Sequence, residues 1–141
     1  MRYDIFTLFP GLFTGVFDES IVKRALESGL VEIHLHNIRD YAADKHHVTD
    51  DTPYGGGGGM VMKVEPIMAA LEAVLGADLI VRQKATGVVE VPIVLLSPAG
   101  ALFTQSMAHT YEQFGRVVLI CGRYEGVDER VVDLAVTHLV S

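Results

Sequence analysis

Val117-Val118-Leu119-Ile120-Cys121 runs directly into Gly122-Arg123-Tyr124-Glu125-Gly126, and this passage decides the fold class. An unbroken apolar run too short for a helix reads as a buried strand. The small and polar residues after it read as a connecting loop. Beyond the loop, Asp128 is placed to cap a helix through Ala135, and Thr137 to Val140 suits a last strand. Upstream the same order recurs. Pro92 to Leu96 is a short apolar strand ending in Ser97-Pro98-Ala99-Gly100, and Thr104 to Phe114 suits a helix that stops at Gly115. Strands alternating with helices predict an α/β domain with a mostly parallel sheet flanked by helices.

The N-terminal half fits the same plan. In Arg2 to Phe9, Tyr3, Ile5 and Thr7 fall on one face and Phe6 and Leu8 on the other, as in a strand covered on both sides, and Pro10-Gly11 ends it. Apolar Ile21, Val22, Ala25 and Leu26 recur at helical spacing, with Ser20 as cap and Gly29 as stop. Val31, Ile33 and Leu35 alternate with Glu32, His34 and His36, the period of a half-exposed strand reaching Ile38. From Arg39 to Gly59 no period survives, and an unstructured loop of about 20 residues in a compact domain is usually functional or disordered. A helix from Glu65 to Leu75 follows, and Gly76 to Val91 reads as an exposed connection.

A chain of 141 residues is the size of one domain and buries roughly two thirds of its unfolded surface. Half of its residues are apolar and 21% charged, which excludes a disordered chain. No apolar run approaches the roughly 20 residues of a membrane span, and Met1 to Pro10 lacks the layout of a cleavable signal. A cytoplasmic setting is expected. The single cysteine, Cys121, excludes an internal disulfide and a cysteine-based zinc site. The net charge of −7 is the opposite of the basic footprint usual in nucleic-acid binders. RNA binding would require a local basic patch or a basic segment elsewhere.

Ligands of open α/β sheets sit beyond the carboxyl ends of strands. The loops Leu95 to Gly100 and Cys121 to Gly126 both leave buried strands, and their small residues would let backbone groups approach a flat ligand such as adenine. Either alone is explained as a turn shaped by Gly and Pro; the two together are more telling. Gly55 to Gly59 fails as a phosphate loop, because no Gly-Lys-Ser/Thr triplet exists, and fails as a dinucleotide fingerprint, because Met60 stands where a glycine is required. Its flanks, Pro53-Tyr54 and Met60-Val61-Met62, are unlike a plain linker and suit close approach of a nucleic acid. Asp44, His46, His47, Asp50 and Asp51 match no metal-ligand spacing and read as a solvated or RNA-facing loop. Cys121 reads as a small buried hydrophobe. Glu125, Asp128 and Glu129 are acidic candidates for orienting a cationic cofactor or for proton transfer, or else partners of Arg123 and Arg130 in a structural ion-pair cluster.

Four blocks in order, Asp4 to Pro10, Arg39 through Met60 with its Asp50-Asp51-Thr52-Pro53-Tyr54-glycine run, Leu96-Ser97-Pro98, and Cys121 to Arg130, resemble the bacterial tRNA (guanine-N1)-methyltransferase family of the knotted methyltransferase superfamily. The resemblance covers most of the chain, with a small departure at Gly58, where members often carry Pro or Ala. It implies a parallel sheet whose C-terminal part enters a trefoil knot, a homodimer, and transfer of a methyl group from S-adenosylmethionine to N1 of guanine 37, next to the anticodon. Carried over by position, the cofactor residues are Leu95, Leu96, Ser97, Pro98, Gly122, Tyr124, Glu125 and Gly126. The tRNA residues are Lys45, His46, Asp50, Tyr54, Gly55, Gly56, Gly57, Gly58 and Gly59. A magnesium ion, if used, would meet Glu125. The family's third cofactor wall, its catalytic Asp and Arg, and its helical RNA-binding domain have no counterpart up to Ser141. Residues 1–141 are therefore expected to be the cofactor-binding domain of a longer enzyme, with the knot incomplete at this length and the catalytic base elsewhere. The rival readings are a non-catalytic cofactor-binding or dimerisation module, and a knotted methyltransferase acting on a ribose or another base.

Overall fold

The structure, a computed structural model, describes residues 1–141. Its strands are β1 (Arg2–Thr7), β2 (Glu32–Asn37), β3 (Asp50–Asp51), β4 (Val61–Met62), β5 (Ile93–Ala101), β6 (Arg116–Cys121) and β7 (His138–Val140). Its α-helices are α1 (Ser20–Glu27), α2 (Val64–Leu75), α3 (Ala77–Thr86), α4 (Gln105–Glu112) and α5 (Arg130–Leu134). The expected parallel sheet is present, in the order β2-β1-β6-β5-β7, with every pairing parallel.

Alternation along the strands divides the apolar residues between two faces. Phe6, Val118, Ile120, Ile93 and Leu95 join Ile67, Leu71, Ile80 and Val131 of α2, α3 and α5 in the main core. Val94, Val117 and Val140 point the other way and pack with Tyr111 of α4 in a smaller cluster. That second face is thinly covered, because α1 buries none of its residues and Ile21 is 76% exposed.

One charge lies inside the sheet. Asp4 is fully buried, and its oxygens accept hydrogen bonds from Arg2 Nε and Nη2 (3.0 and 2.9 Å), Arg116 Nε (2.8 Å) and His36 Nε2 (2.8 Å). A carboxylate accepts only, so Nε2 of His36 carries the proton. Burial alone would raise the Asp4 pKa, but the bonds from Arg2, His36 and Arg116 outweigh it and hold the pKa down to about 2. His34 stands on the expected polar face, exposed and 3.2 Å from Glu32, whereas His36, expected there too, ties β2 to β1 while stacking on Phe6.

Four local expectations are corrected. Gly76 to Val91 is no loose connection but contains α3, which buries Ile80 and Gln83. The Gln83 side chain accepts from Glu90 N (2.7 Å) and Val91 N (2.6 Å) and donates to Val91 O (3.1 Å), holding the turn against the helix. Ser20 does not cap α1; it is the first helical residue, at φ 56°, and Glu19 precedes it without a capping side chain. The Arg39 to Gly59 stretch holds a 3-10 turn at Ile38–Tyr41 and the strand β3, paired antiparallel with β4. Asp128 does not cap α5: Glu129 holds the cap position without a capping side chain, and Asp128, one residue earlier, accepts from Arg130 N through Oδ1 (2.9 Å) to close the turn that leads into the helix.

At the far edge, β7 runs into the loop that ends β5. Val140 pairs with both Leu96 and Ala101, Ser141 N donates to Ala101 O (2.8 Å), and Phe103 N donates to Ser141 O (2.9 Å). Residues 97–100 therefore arch over the end of the last strand. Gly100 makes this approach possible: a Cβ there would collide with Val140 N and lie 2.6 Å from the Leu139 carbonyl carbon.

Candidate functional site

The carboxyl ends of β6, β5 and β7 meet at this crossing, where ligand sites of α/β sheets form. A cavity of about 330 Å³ opens there, within the size range of small-molecule sites. Leu95, Leu96, Ser97, Pro98, Gly122, Tyr124, Glu125 and Gly126 all line it, so the two sequence segments converge on one space. Val132 and Leu139 add apolar surface that strand and loop patterns alone did not single out. Ser97 Oγ accepts from Ala99 N at 3.2 Å and shapes the first loop. The second loop turns through Tyr124 at φ 60° and Gly126 at φ 138°. Gly122 lies close against its surroundings, since a Cβ there would stand 3.4 Å from Val127 Cγ2 and 3.8 Å from Leu96 O.

The glycine-rich segment is tied to this loop by backbone. Glu125 N donates to Met60 O (3.0 Å), Met62 N to Gly126 O (2.9 Å) and Asp128 N to Met62 O (3.0 Å). Gly59, at φ 100°, leaves room for the Glu125 side chain, whose Cγ would lie 2.5 Å from a Cβ at that position. Gly55, Gly56 and Gly57 also hold positive φ. Gly58 does not, and a Cβ there meets nothing, which explains why Ala or Pro is compatible with this position.

A second cavity of about 470 Å³ adjoins the first, sharing Val127 and Glu129 with it. Tyr54, Asp51, Lys63 and Arg130 stand around it. Tyr54 is 96% exposed. Lys45, His46, Asp50 and Gly55 to Gly59 line neither cavity; Asp50 pairs with Met62, and Lys45 and His46 are exposed. No group of three or more His, Cys, Asp or Glu side chains is gathered as a metal cage. Asp44 instead accepts from His46 N (3.1 Å) and Val48 N (2.9 Å), organising its own loop. Asp128 forms an ion pair with Arg130 at 2.8 Å, and that hydrogen bond holds its carboxyl below the usual range. Cys121 is half-buried, and burial pushes its thiol up, away from nucleophilic use.

A parallel sheet whose last strand enters its neighbour's loop, with a ligand-sized cavity at the crossing, is the architecture of the knotted α/β methyltransferases. Residues 1–141 match the family described as tRNA (Guanine-1)-methyltransferase TrmD. The chain is 56% identical over 131 residues to a tRNA (guanine-N(1)-)-methyltransferase of Thermomicrobium roseum, covering 93% of this chain and 46% of that protein. It is 51% identical to the protein of that name from Chloroflexus aggregans over 141 residues, 100% of this chain and 52% of that one. The crystal structure of tRNA (m1G37) methyltransferase from Aquifex aeolicus superposes with a TM-score of 0.79 at 33% identity, over 100% of this chain and 59% of that chain. The chain belongs to the tRNA (guanine-N1)-methyltransferase family and spans about half the length of the curated relatives it matches. Membership implies S-adenosylmethionine as the methyl donor. No helix is long and apolar enough to cross a membrane.

Proposed function

We propose that residues 1–141 are the cofactor-binding domain of an enzyme that methylates N1 of guanine 37 beside the anticodon of tRNA, with S-adenosylmethionine as donor. The observation that carries this reading is the convergence of Leu95 to Pro98 with Gly122, Tyr124, Glu125 and Gly126 on one cavity. Leu95, Val132 and Leu139 offer an apolar bed for a purine, and two loops of small residues bring backbone groups to its edges. Glu125 and Glu129 outnumber Arg123 among the charged residues of the lining, leaving it net negative and favouring a cationic ligand. When bound, the cofactor supplies an electrophilic methyl group on sulfur. The chain's own part is to hold that group in line with the attacking nitrogen, a source of much of the rate enhancement in such transfers. The proton leaving N1 needs a general base, and none of the cavity residues is assigned that role.

In this reading the target guanine, splayed from its neighbours, enters by the cavity beside Tyr54, and Lys45, His46, Asp50 and Gly55 to Gly59 face the tRNA. A magnesium ion would use Glu125 as its one carboxylate, with ligand and water oxygens completing the shell, a common arrangement for this ion. The exposed apolar residues Leu12, Val16 and Ile21 support a homodimer. The setting is cytoplasmic, where tRNA is available.

The experiment is a calorimetric titration with S-adenosylmethionine followed by a methyl-transfer assay on tRNA transcripts carrying guanine or adenine at the target position. Binding with transfer to the guanine transcript alone establishes the enzyme. Binding without transfer supports the module reading for this chain, and absence of binding refutes both.

A further inference from the structure

Phe9, Arg39 and Arg123 stand just beyond the carboxyl ends of β1, β2 and β6, three neighbouring strands. The fold thus unites residues far apart in sequence. The guanidinium carbon of Arg123 lies 4.6 Å from the centroid of the Phe9 ring, and that of Arg39 lies 5.3 Å from the same centroid. Both are within cation–π range. Because the ring is shared, the two groups stand no farther apart than those distances laid end to end. Their backbones are fixed as well: Arg39 N donates to Asn37 Oδ1 (3.0 Å), His47 Nδ1 donates to Arg39 O (3.0 Å), and Phe9 N donates to Thr7 Oγ1 (3.1 Å).

The other arginines outside α1 are held in ion pairs. Arg2 and Arg116 share Asp4, Arg82 holds Glu90, and Arg130 holds Asp128. Arg39 and Arg123 make no ion pair, and neither side chain donates a hydrogen bond within the chain, although Asp40 and Glu125 are close in sequence. Two like charges on one ring, each with its planar fork of donors unspent, repel one another until an anion arrives. In a chain of net charge −7 this is a local positive site. Stacking on the ring orients each fork without consuming its hydrogen bonds, and preorganised forks suit phosphate oxygens.

We propose that Arg39 and Arg123, held on Phe9, form a phosphate clamp that grips the RNA backbone next to the cofactor cavity. The proposal rests on the tRNA reading above. Arg123 lines the cofactor cavity as well, so it marks the border between the two ligands. Arg39 sits in the 3-10 turn that follows β2, a strand two spacings or roughly 10 Å from β6 and farther still from β5 and β7, where the cofactor cavity lies. That separation favours a phosphate of RNA over an acidic group of the cofactor.

An unmodified tRNA transcript is titrated into the chain and its R39Q, R123Q and R39K variants over a range of salt, with S-adenosylhomocysteine titrated in parallel. R39Q and R123Q are each expected to weaken RNA binding about tenfold and to lower the slope of log K against log salt by about 0.7. R39K keeps the charge and hence the slope, but loses affinity with the fork. R39Q leaves S-adenosylhomocysteine binding unchanged. Unaltered RNA affinity and slope in both glutamine variants overturns the clamp and leaves the tRNA reading standing. Weakened S-adenosylhomocysteine binding with RNA unaffected reassigns the anion to the cofactor and overturns the proposal. A parent chain that binds no tRNA overturns both.

Discussion

Replacing Asp4 with asparagine removes the one fully buried carboxylate of the sheet. Its pKa of about 2, against an ordinary 3.8, means that the folded state favours the ionised form by about 2 kcal/mol at neutral pH. The folded value lies below the unfolded one. This stabilisation is therefore complete above about pH 4 and is lost as pH falls toward the folded pKa of about 2. The substitution also leaves Arg2 and Arg116 side by side without an anion and replaces one accepting oxygen by an NH2 that faces other donors. Breaking one side of a buried ion pair costs about 3–5 kcal/mol. The arginine side chains keep 37% and 27% exposure, and water around them places the expected loss near the lower limit, about 3 kcal/mol. For a domain of this size that is a fall in Tm of roughly 10 °C. Urea melts of the parent and D4N at neutral pH, and again between about pH 4 and pH 2, measure both parts. D4N should be less stable at neutral pH and should lack about 2 kcal/mol of the parent's acid sensitivity. A neutral-pH loss below about 1 kcal/mol, or an acid limb of unchanged steepness, refutes the assignment of Asp4 as the paired charge that joins β1, β2 and β6.

Gly100→Ala should cost about 3 kcal/mol or more, because its Cβ meets the backbone of Leu139 and Val140, which has nowhere to retreat; amide exchange at Phe103 and Ser141 should accelerate, and protected amides there would contradict the crossing. Gln83→Leu strands the amides of Glu90 and Val91 without an acceptor, and a thermal melt should show a loss of roughly 2–4 kcal/mol. Gly59→Ala imposes a side chain at φ 100° and displaces Glu125, so S-adenosylhomocysteine affinity should drop several-fold alongside about 1–2 kcal/mol of stability; affinity equal to the parent's would separate Gly59 from the cofactor loop.

The strands and the two cavity loops were legible because their signals are local. The apolar run before Gly122 and the one before Ser97 each announce a strand and its exit, and the α/β rule places ligands at such exits. Helix α3 was missed because Leu79, Ile80 and Val81 are adjacent rather than spaced around one face. Its end signals were present, with Asp78 in the first turn, Lys84 in the last and Gly87 in the left-handed conformation after it. Ser20 looked like a cap by residue type, yet capping needs an extended backbone, and Ser20 lies at φ 56°. Other features depend on distant partners. Nothing near Phe9 announces Arg39 and Arg123, and nothing near Gly100 announces Leu139 and Val140.

The arch of residues 97–100 over the end of β7 also sets an order on synthesis. A ribosome delivers Leu96 to Phe103 well before His138 to Ser141 exist, so the strand that will receive β7 first emerges as a bare sheet edge. Such an edge invites pairing with other nascent chains. Ser97, Pro98 and Gly100 shorten the stretch able to pair in this way, and the backbone bonds of Ala101 and Phe103 to Ser141 can close only once residues 138–141 have been made. Completion of the cofactor cavity, with Leu139 in its wall, thereby waits on a strand made about 40 residues after the loop that forms its other side.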